Sequence, residues 1–514
     1  MAHPPLEGRS RTLVTLALSL ATFMQVLDTT IANVAIPTIS GDLGASTSQG
    51  TWVITSFGVA NAIAVPITGW LAKRLGEVRL FMIATIGFVL ASLLCGIAPS
   101  LELLILFRVL QGALAGPMIP LSQSLLLQSY PPDKRAIAMA LWTMTIIVAP
   151  IFGPILGGWL SDNWHWSWIF FINVPVGVVA MLLTWRELRH RETTILQLPI
   201  DKVGLTLLVL GVGCLQMMLD RGKELDWFHS GEIVLYGVVA ALSLSYLVVW
   251  ELTDKHPVID LSLFKDRNFS VGVVSVSLSF MLYFGAIVLM PLLMQTQLGY
   301  TATEAGLATA PIGILPVLLS PLIGKNAHRL DMRVVVTISL LMFAFCFWWR
   351  FETFNPDMTF ADMAWPQFVQ GIAIAGFFMP LTTITLSNMK PQQLASASSL
   401  SNFLRTLAGS IGASLFTWQW EHREAVHHVQ FTDRISQYDE GTRQTLANMQ
   451  QLGMSAEQAA GVIARDVTRQ GMFIGANEIF WLCAILFVIV TGLVWFSRPP
   501  KPGAAAAPVV DAGH

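Results

Sequence analysis

The group with the most chemical consequence is an acid set in an apolar run. Residues 19–37, SLATFMQVLDTTIANVAIP, carry Asp28 as their single charged side chain. From Thr12, where the run begins, Asp28 lies about 24 Å along a helix, against a hydrocarbon core about 30 Å thick. That places it inside the bilayer, in the outer third when the N-terminus is cytoplasmic. A carboxylate there costs roughly 2.5–3.5 kcal/mol on insertion scales, so a chain keeps one where it faces a cavity, meets a partner or holds a proton. Two readings fit: a proton-coupling site in a transporter, or a carboxyl hydrogen-bonded between helices. Arg108 lies roughly 8 Å in from the outer face on another apolar run, close to the depth of Asp28, so an Arg108–Asp28 interaction is expected. The alternatives are a static ion pair or an arginine snorkelling to the interface. Arg405, roughly 16 Å deep, and Glu478, near the outer face of the last run, form a possible second charged element. Glu478 reads equally as a wet interfacial residue.

Gln25, Asn33, Gln123, Trp142, Tyr283, Gln295, Asn402 and Phe403 are candidates to line a central cavity. Polyspecific pockets mix aromatic surface with a few polar groups, although such residues also simply pack helices together. The ten histidines show no metal-ligand spacing, and no phosphate-binding G-x-x-x-x-G-K-[ST] loop occurs. No nucleophile–base constellation points to an enzyme, and neither a cofactor, a metal nor a nucleic-acid partner is expected. Cys95, Cys214, Cys346 and Cys483 all fall in apolar runs and read as small core residues.

The elements that must position these groups are membrane helices. Of the 514 residues, 54% are hydrophobic and 12% charged, where soluble domains carry about 25% charged residues. Fourteen apolar runs of spanning length lie between 12–36 and 473–497, giving an all-α membrane protein with both termini on one side. Most of the 30 Lys and Arg fall in the segments that are inside when the N-terminus is cytoplasmic, and the short outer loops hold only Arg221, Lys223 and Arg350. The long polar loop 419–472 then faces outward, and the tail 501–514 reads as disordered.

Two halves of the chain repeat each other. Gly69, Ala72, Arg74 and Leu75 recur as Gly324, Ala327, Arg329 and Leu330, an offset of 255. Gln111-Gly112, Gly116 and Pro120-Leu121 recur as Gln370-Gly371, Gly376 and Pro380-Leu381, an offset of about 259. The expected organisation is therefore six helices in 1–198, two inserted helices in 199–262, and six helices in 263–500. Parallel six-helix repeats with a midplane site between them are the build of the major facilitator fold.

Several motifs resemble that superfamily. The loop Gly69-Trp70-Leu71-Ala72-Lys73-Arg74-Leu75-Gly76-Glu77-Val78-Arg79 is similar to its gating signature, with Lys73 where the family usually has Asp and Glu77 where it has Arg. Gly69, Lys73, Arg74, Gly76 and Glu77 then form either a latch with swapped polarity or ordinary surface pairs. Ala149-Pro150-Ile151-Phe152-Gly153-Pro154-Ile155-Leu156-Gly157-Gly158 resembles the antiporter motif that marks exporters, through Pro150, Gly153, Pro154, Gly157 and Gly158. Leu27-Asp28-Thr29-Thr30, together with Trp168 to Pro175, resembles the fourteen-helix drug:proton antiporters and, within them, the EmrB-like inner-membrane exporters. The resemblance implies a proton-driven antiporter for lipophilic or amphipathic drugs in the bacterial inner membrane. It also implies a periplasmic adaptor of the EmrA type and an outer-membrane channel of the TolC type. A receptor or sensor that transports nothing, and an uptake symporter or facilitator, are the competing classes.

Overall fold

A computed structural model describes residues 4–131, 134–196, 199, 201–254, 257–327, 329–433, 435 and 439–498, without the side chains at 34, 47, 48, 151, 154, 155, 162 and 302. The expected disordered tail, 501–514, lies outside the described residues. All regular structure among them is helical. Hydrocarbon leaves no water to satisfy an open backbone, so an apolar chain of this kind closes its hydrogen bonds within helices.

The long helices in chain order are α1 (Gly8–Asp42), α2 (Trp52–Leu75), α3 (Glu77–Gly96), α4 (Leu101–Ala115, continued by Met118–Ser129), α5 (Arg135–Asn163) and α6 (Asn173–Leu188). They are followed by α7 (Lys202–Arg221) and α8 (Gly231–Thr253). The remainder are α9 (Arg267–Gln297), α10 (Ile314–Asn326, preceded by Ala302–Thr309), α11 (Met332–Thr353), α12 (Phe360–Ala375, continued by Phe378–Leu386), α13 (Leu394–Thr432) and α14 (Ala456–Val494). Twelve helical stretches among the described residues are long and apolar enough to cross a membrane. The expected count was fourteen; α5 and α13 are the long helices that fall outside the twelve.

The packing repeats as the sequence does. In the first half α1 packs on α5 and α6, α2 on α4, and α3 on α4 and α6; in the second α9 packs on α13 and α14, α10 on α12, and α11 on α12 and α14. Glycines permit the closest approaches. A side chain at Gly112 would run into the Phe57 carbonyl, and one at its repeat partner Gly371 would sit 2.9 Å from the Ile312 carbonyl.

The halves meet along α2 with α13 and α5 with α10. At the end that carries Lys73 and Arg74, the Ser399 hydroxyl donates to the Val65 carbonyl at 2.6 Å, and Asn402 Nδ2 to Gln123 Oε1 at 2.9 Å. There a Cβ on Gly69 would lie 2.7 Å from the Ser396 Cα, so the seam is shut at this basic end. α7 runs beside that seam, packing on both α2 and α13. The Ser414 hydroxyl of α13 donates to the Leu219 carbonyl at 2.9 Å, and Lys223 pairs with Glu421 at 2.6 Å.

The segment 419–472, expected as a polar loop, is largely helical. α13 continues past its apolar part to Thr432, α14 begins at Ala456, and a short helix, Glu440–Gln451, lies between them. Ser455 closes a capping box at the start of α14, and Trp420 Nε1 donates to the Met472 carbonyl at 2.7 Å, tying the two extensions together.

Candidate functional site

Asp28 is completely buried where α1, α3, α4 and α6 converge. Its carboxylate takes three donors: Arg108 Nη1 on Oδ2 at 2.6 Å, and Asn173 Nδ2 at 2.7 Å and Gln111 Nε2 at 3.1 Å on Oδ1. Each donor comes from a helix whose position the sequence dictates. Arg108 and Gln111 are three residues apart and so share one face of α4. Asn173 opens α6, within the Trp168 to Pro175 stretch.

A further tier fixes the donors. Arg108 Nε donates to the Val53 carbonyl at 3.0 Å, its Nη1 also reaches Gln111 Oε1 at 2.6 Å, and its guanidinium stacks 4.2 Å from the Phe57 ring centre. The Ser92 hydroxyl of α3 accepts from Gln111 at 2.6 Å and from Asn173 at 3.2 Å. A buried ion pair is tolerated only when its remaining donors and acceptors are satisfied. Arg108 is therefore not snorkelling; it is 1% exposed and directed inward. Gln111, Asn173 and Ser92 were not singled out from the sequence, although Gln111 and Asn173 lie inside motifs that were.

The antiporter-like motif flanks this site. Gly153 and Gly157 of α5 face α1 one turn beyond Asp28: a side chain at Gly153 would meet the Thr30 hydroxyl, and one at Gly157 would lie 2.9 Å from the Ile31 carbonyl. Pro150 and Gly158 lie on the same helix, and the Pro154 side chain lies outside the described residues.

In the gating-like loop, the expected Lys73–Glu77 latch is absent. Gly76, with φ +91°, ends α2 and turns the chain so that Glu77 opens α3 and points into the first half. The Glu77 carboxylate accepts from the Ser124 hydroxyl at 2.7 Å and from Gln128 Nε2 at 3.0 Å. Lys73, on the last turn of α2, faces Asp260 at 3.8 Å, and Arg74 stacks over Trp70. The Glu192 carboxylate caps the N-terminus of α3, accepting from the Val78 and Arg79 amides at 3.0 and 2.9 Å.

Arg405 and Glu478 do not pair. Glu478 binds Arg423 and His427, because α13 continues unbroken and carries both beside α14. Arg405 sits about 27 Å further back along the same helix. It is buried, stacks 5.4 Å from the Phe280 ring centre, and pairs with no acid among the described residues.

The eight cavity candidates are dispersed. Gln123 and Asn402 bond across the seam, with Phe403 buried beside them, and Trp142 Nε1 donates to the Ser122 hydroxyl at 2.9 Å. Gln25 is buried with an unpartnered Oε1, whereas Asn33 and Gln295 are exposed. Tyr283 belongs to a separate pocket in the second half with Arg350, Gln367 and Gln370. Arg350, expected in an outer loop, is instead buried on the last turn of α11. Distance from the end of an apolar run does not distinguish an arginine at the lipid surface from one turned into the bundle. The signal available was the repeat: Gln367 and Gln370 stand 259 residues after Arg108 and Gln111.

Comparison with known proteins agrees with this architecture. The family model for the Major Facilitator Superfamily matches residues 18–413. The multidrug export protein EmrB of Escherichia coli K12 is 62% identical over 96% of this chain and 97% of its own length. The fatty acid resistance protein FarB of Neisseria gonorrhoeae is 59% identical over 97% of this chain and 98% of its own. The crystal structure of the human organic anion transporter MFSD10 superimposes with a TM-score of 0.58 at 13% identity, covering 95% of this chain and all of that one, a likeness of fold alone. With a helix packing that repeats along the chain, a buried acid–arginine site, and 59–62% identity to these relatives over nearly their full length, the chain belongs to the major facilitator superfamily, in the family of the EmrB multidrug export proteins.

Proposed function

We propose that this protein is a proton-driven antiporter that exports lipophilic or amphipathic drugs across the bacterial inner membrane, as the pump of a tripartite system with an EmrA-type adaptor and a TolC-type channel. The observation that carries the proposal is the Asp28 site: a fully buried carboxylate whose Oδ2 is engaged by Arg108. A proton arriving on Oδ2 competes with the guanidinium for the same lone pair. Its binding frees Arg108 and loosens α1 against α4, while Gln111 and Asn173 keep their bonds to Oδ1, which couples proton occupancy to the packing of the first half. The relatives' printed names, multidrug export and fatty acid resistance, support apolar and amphipathic cargo.

The fold reading behind this is fourteen spans arranged as six, two and six, with α5 and α13 crossing beside the twelve more apolar helices. Its support is the recurrence of the same packing pairs eight helices apart, with α7 and α8 between. In this reading the basic end is cytoplasmic, both termini lie there, and the conformation is closed toward the cytoplasm with its path directed outward. The first proton then arrives from outside as drug leaves, and rocking of the halves supplies alternating access.

The test is drug-driven proton movement in proteoliposomes, comparing the parent with Asp28→Asn. Coupled flux in the parent, lost in a variant that still binds drug, supports the proposal. Proton flux in the variant equal to the parent's removes Asp28 from the mechanism, and a parent that moves no protons overturns the antiporter reading.

A further inference from the structure

Among the described residues, the second half contains a buried cation that no acid balances. Arg350 is 1% exposed. Its Nη2 is accepted by the side-chain carbonyl oxygens of Gln367, at 3.1 Å, and Gln370, while its Nε has no hydrogen-bond partner. The Phe347 ring centre lies 5.1 Å from Cζ. Neutral carbonyls orient a guanidinium but leave its charge in place. Among the described residues no carboxylate pairs with it, and the second half also carries Arg405, equally without an acid, across the Phe280 ring.

The repeat shows what has changed. Gln370 stands 259 residues after Gln111, and Gln367 the same distance after Arg108. Tyr283, 255 residues after Asp28, occupies the acid's place on α9. The arginine enters instead from α11, the repeat counterpart of the helix that carries Ser92. The first half thus joins an acid to its arginine, whereas the second presents an arginine beside a cavity of about 10 Å³, room for one water-sized occupant. That cavity is lined by Tyr283, Met290, Phe347, Arg350, Gln367 and Gln370. The oxygens of both glutamines are taken by Arg350, which leaves their Nε2 amides as donors, and Tyr283 adds a hydroxyl. The polar part of the lining is therefore a set of donors around one positive charge, set in an otherwise apolar wall that includes Ala286, Ile287 and Ile312.

We propose that this cavity binds a single monovalent anion, supplied either as a free halide or as the carboxylate of an amphipathic solute. The two sources share the chemistry of a compact negative oxygen or halide accepting from a guanidinium, two amides and a hydroxyl. The room suits a monatomic ion directly, and a carboxylate enters with one oxygen. The inference does not rest on proton antiport and stands or falls separately from it.

Chloride NMR line broadening on the purified full-length chain in detergent micelles, with and without decanoate, tests it in the parent, Arg350→Gln and Tyr283→Phe. Saturable broadening in the parent that weakens at least about tenfold in Arg350→Gln supports the halide arm. Tyr283→Phe keeps the ring, is expected to fold as the parent does, and should weaken binding several-fold; it decides the matter if Arg350→Gln does not fold. Absence of chloride binding, with decanoate binding that is lost in the same variants, supports the carboxylate arm. If neither anion binds the parent, or both bind the variants as they bind the parent, the site does not exist and Arg350 is a structural cation.

Discussion

Replacing Asp28 by Asn removes a charge while keeping the side chain's volume, and the hydrogen bonds around it set the cost. The carboxylate accepts from Arg108, Asn173 and Gln111 at 2.6, 2.7 and 3.1 Å. An amide has one oxygen. Keeping it toward Asn173 and Gln111 turns its NH2 toward Arg108, donor against donor, and strands a guanidinium that is 1% exposed. Breaking a buried pair from one side costs roughly 3–5 kcal/mol, a large fraction of the roughly 5–15 kcal/mol that keeps a typical protein folded. Arg108→Gln strands the carboxylate instead and is expected to cost a similar amount. The double variant removes both charges, so it should recover about 2–3 kcal/mol of the summed loss. Thermal unfolding of all four proteins in the same detergent closes the cycle, and proteoliposome proton flux on the same preparations separates stability from function. The double variant is expected to regain stability without regaining proton coupling. Additivity within about 0.5 kcal/mol refutes energetic coupling of the pair, and normal drug-coupled proton flux in Asp28→Asn refutes its proposed role.

Three other perturbations probe different parts of the molecule. Gly69→Val places a side chain where a Cβ already lies 2.7 Å from the Ser396 Cα; the basic end should no longer shut, seen as increased thiol labelling of a cysteine introduced at Ser399 and loss of transport. Lys73→Ala removes a partly exposed 3.8 Å pair with Asp260 and should change unfolding by less than about 1 kcal/mol, whereas a strong effect would restore a latch role to Lys73. Asp439 caps the helix Glu440–Gln451, accepting from the Thr442 amide at 2.8 Å, and that backbone bond holds its carboxyl below the usual 3.8. Because the folded value is the depressed one, the cap's contribution is complete above about 3.8 and lost as pH falls through the lower folded value; amide exchange of this helix should accelerate only in that acid range, and Asp439→Asn should remove most of the pH dependence.

Much of the architecture was legible because lipid imposes a simple rule. An apolar run of sufficient length must be a helix, and a repeated set of glycines and prolines must repeat its contacts, as Gly112 and Gly371 do against the Phe57 and Ile312 carbonyls. Depth along a run also brought Asp28 and Arg108 together before any contact was known. The same one-dimensional measure missed the partners of Glu478. It treats the end of apolarity as the end of a helix, yet α13 carries on to Thr432 outside the apolar stretch and supplies Arg423 and His427. It failed for Lys73 and Glu77 because one glycine with φ +91° sends adjacent charges to different neighbours.

Arg350 exposes the deeper limit. Depth alone assigned it to an outer loop, but the repeat carried the information needed to move it inside. Gln111 and Gln370 were recognised as equivalents, and Gln111 helps hold Asp28 and Arg108. Its equivalent should therefore help hold a charged group, and the equivalents of Asp28 and Arg108, Tyr283 and Gln367, carry no charge. The missing charge had to come from another helix facing the same point, and α11, the counterpart of the helix that contributes Ser92, carries an arginine on its last turn. A duplicated framework preserves the place where helices converge while leaving the residues there free to change. In such a chain the informative comparison is between the two halves, and the position whose repeat partner has lost its charge marks where the halves have taken on different chemistry.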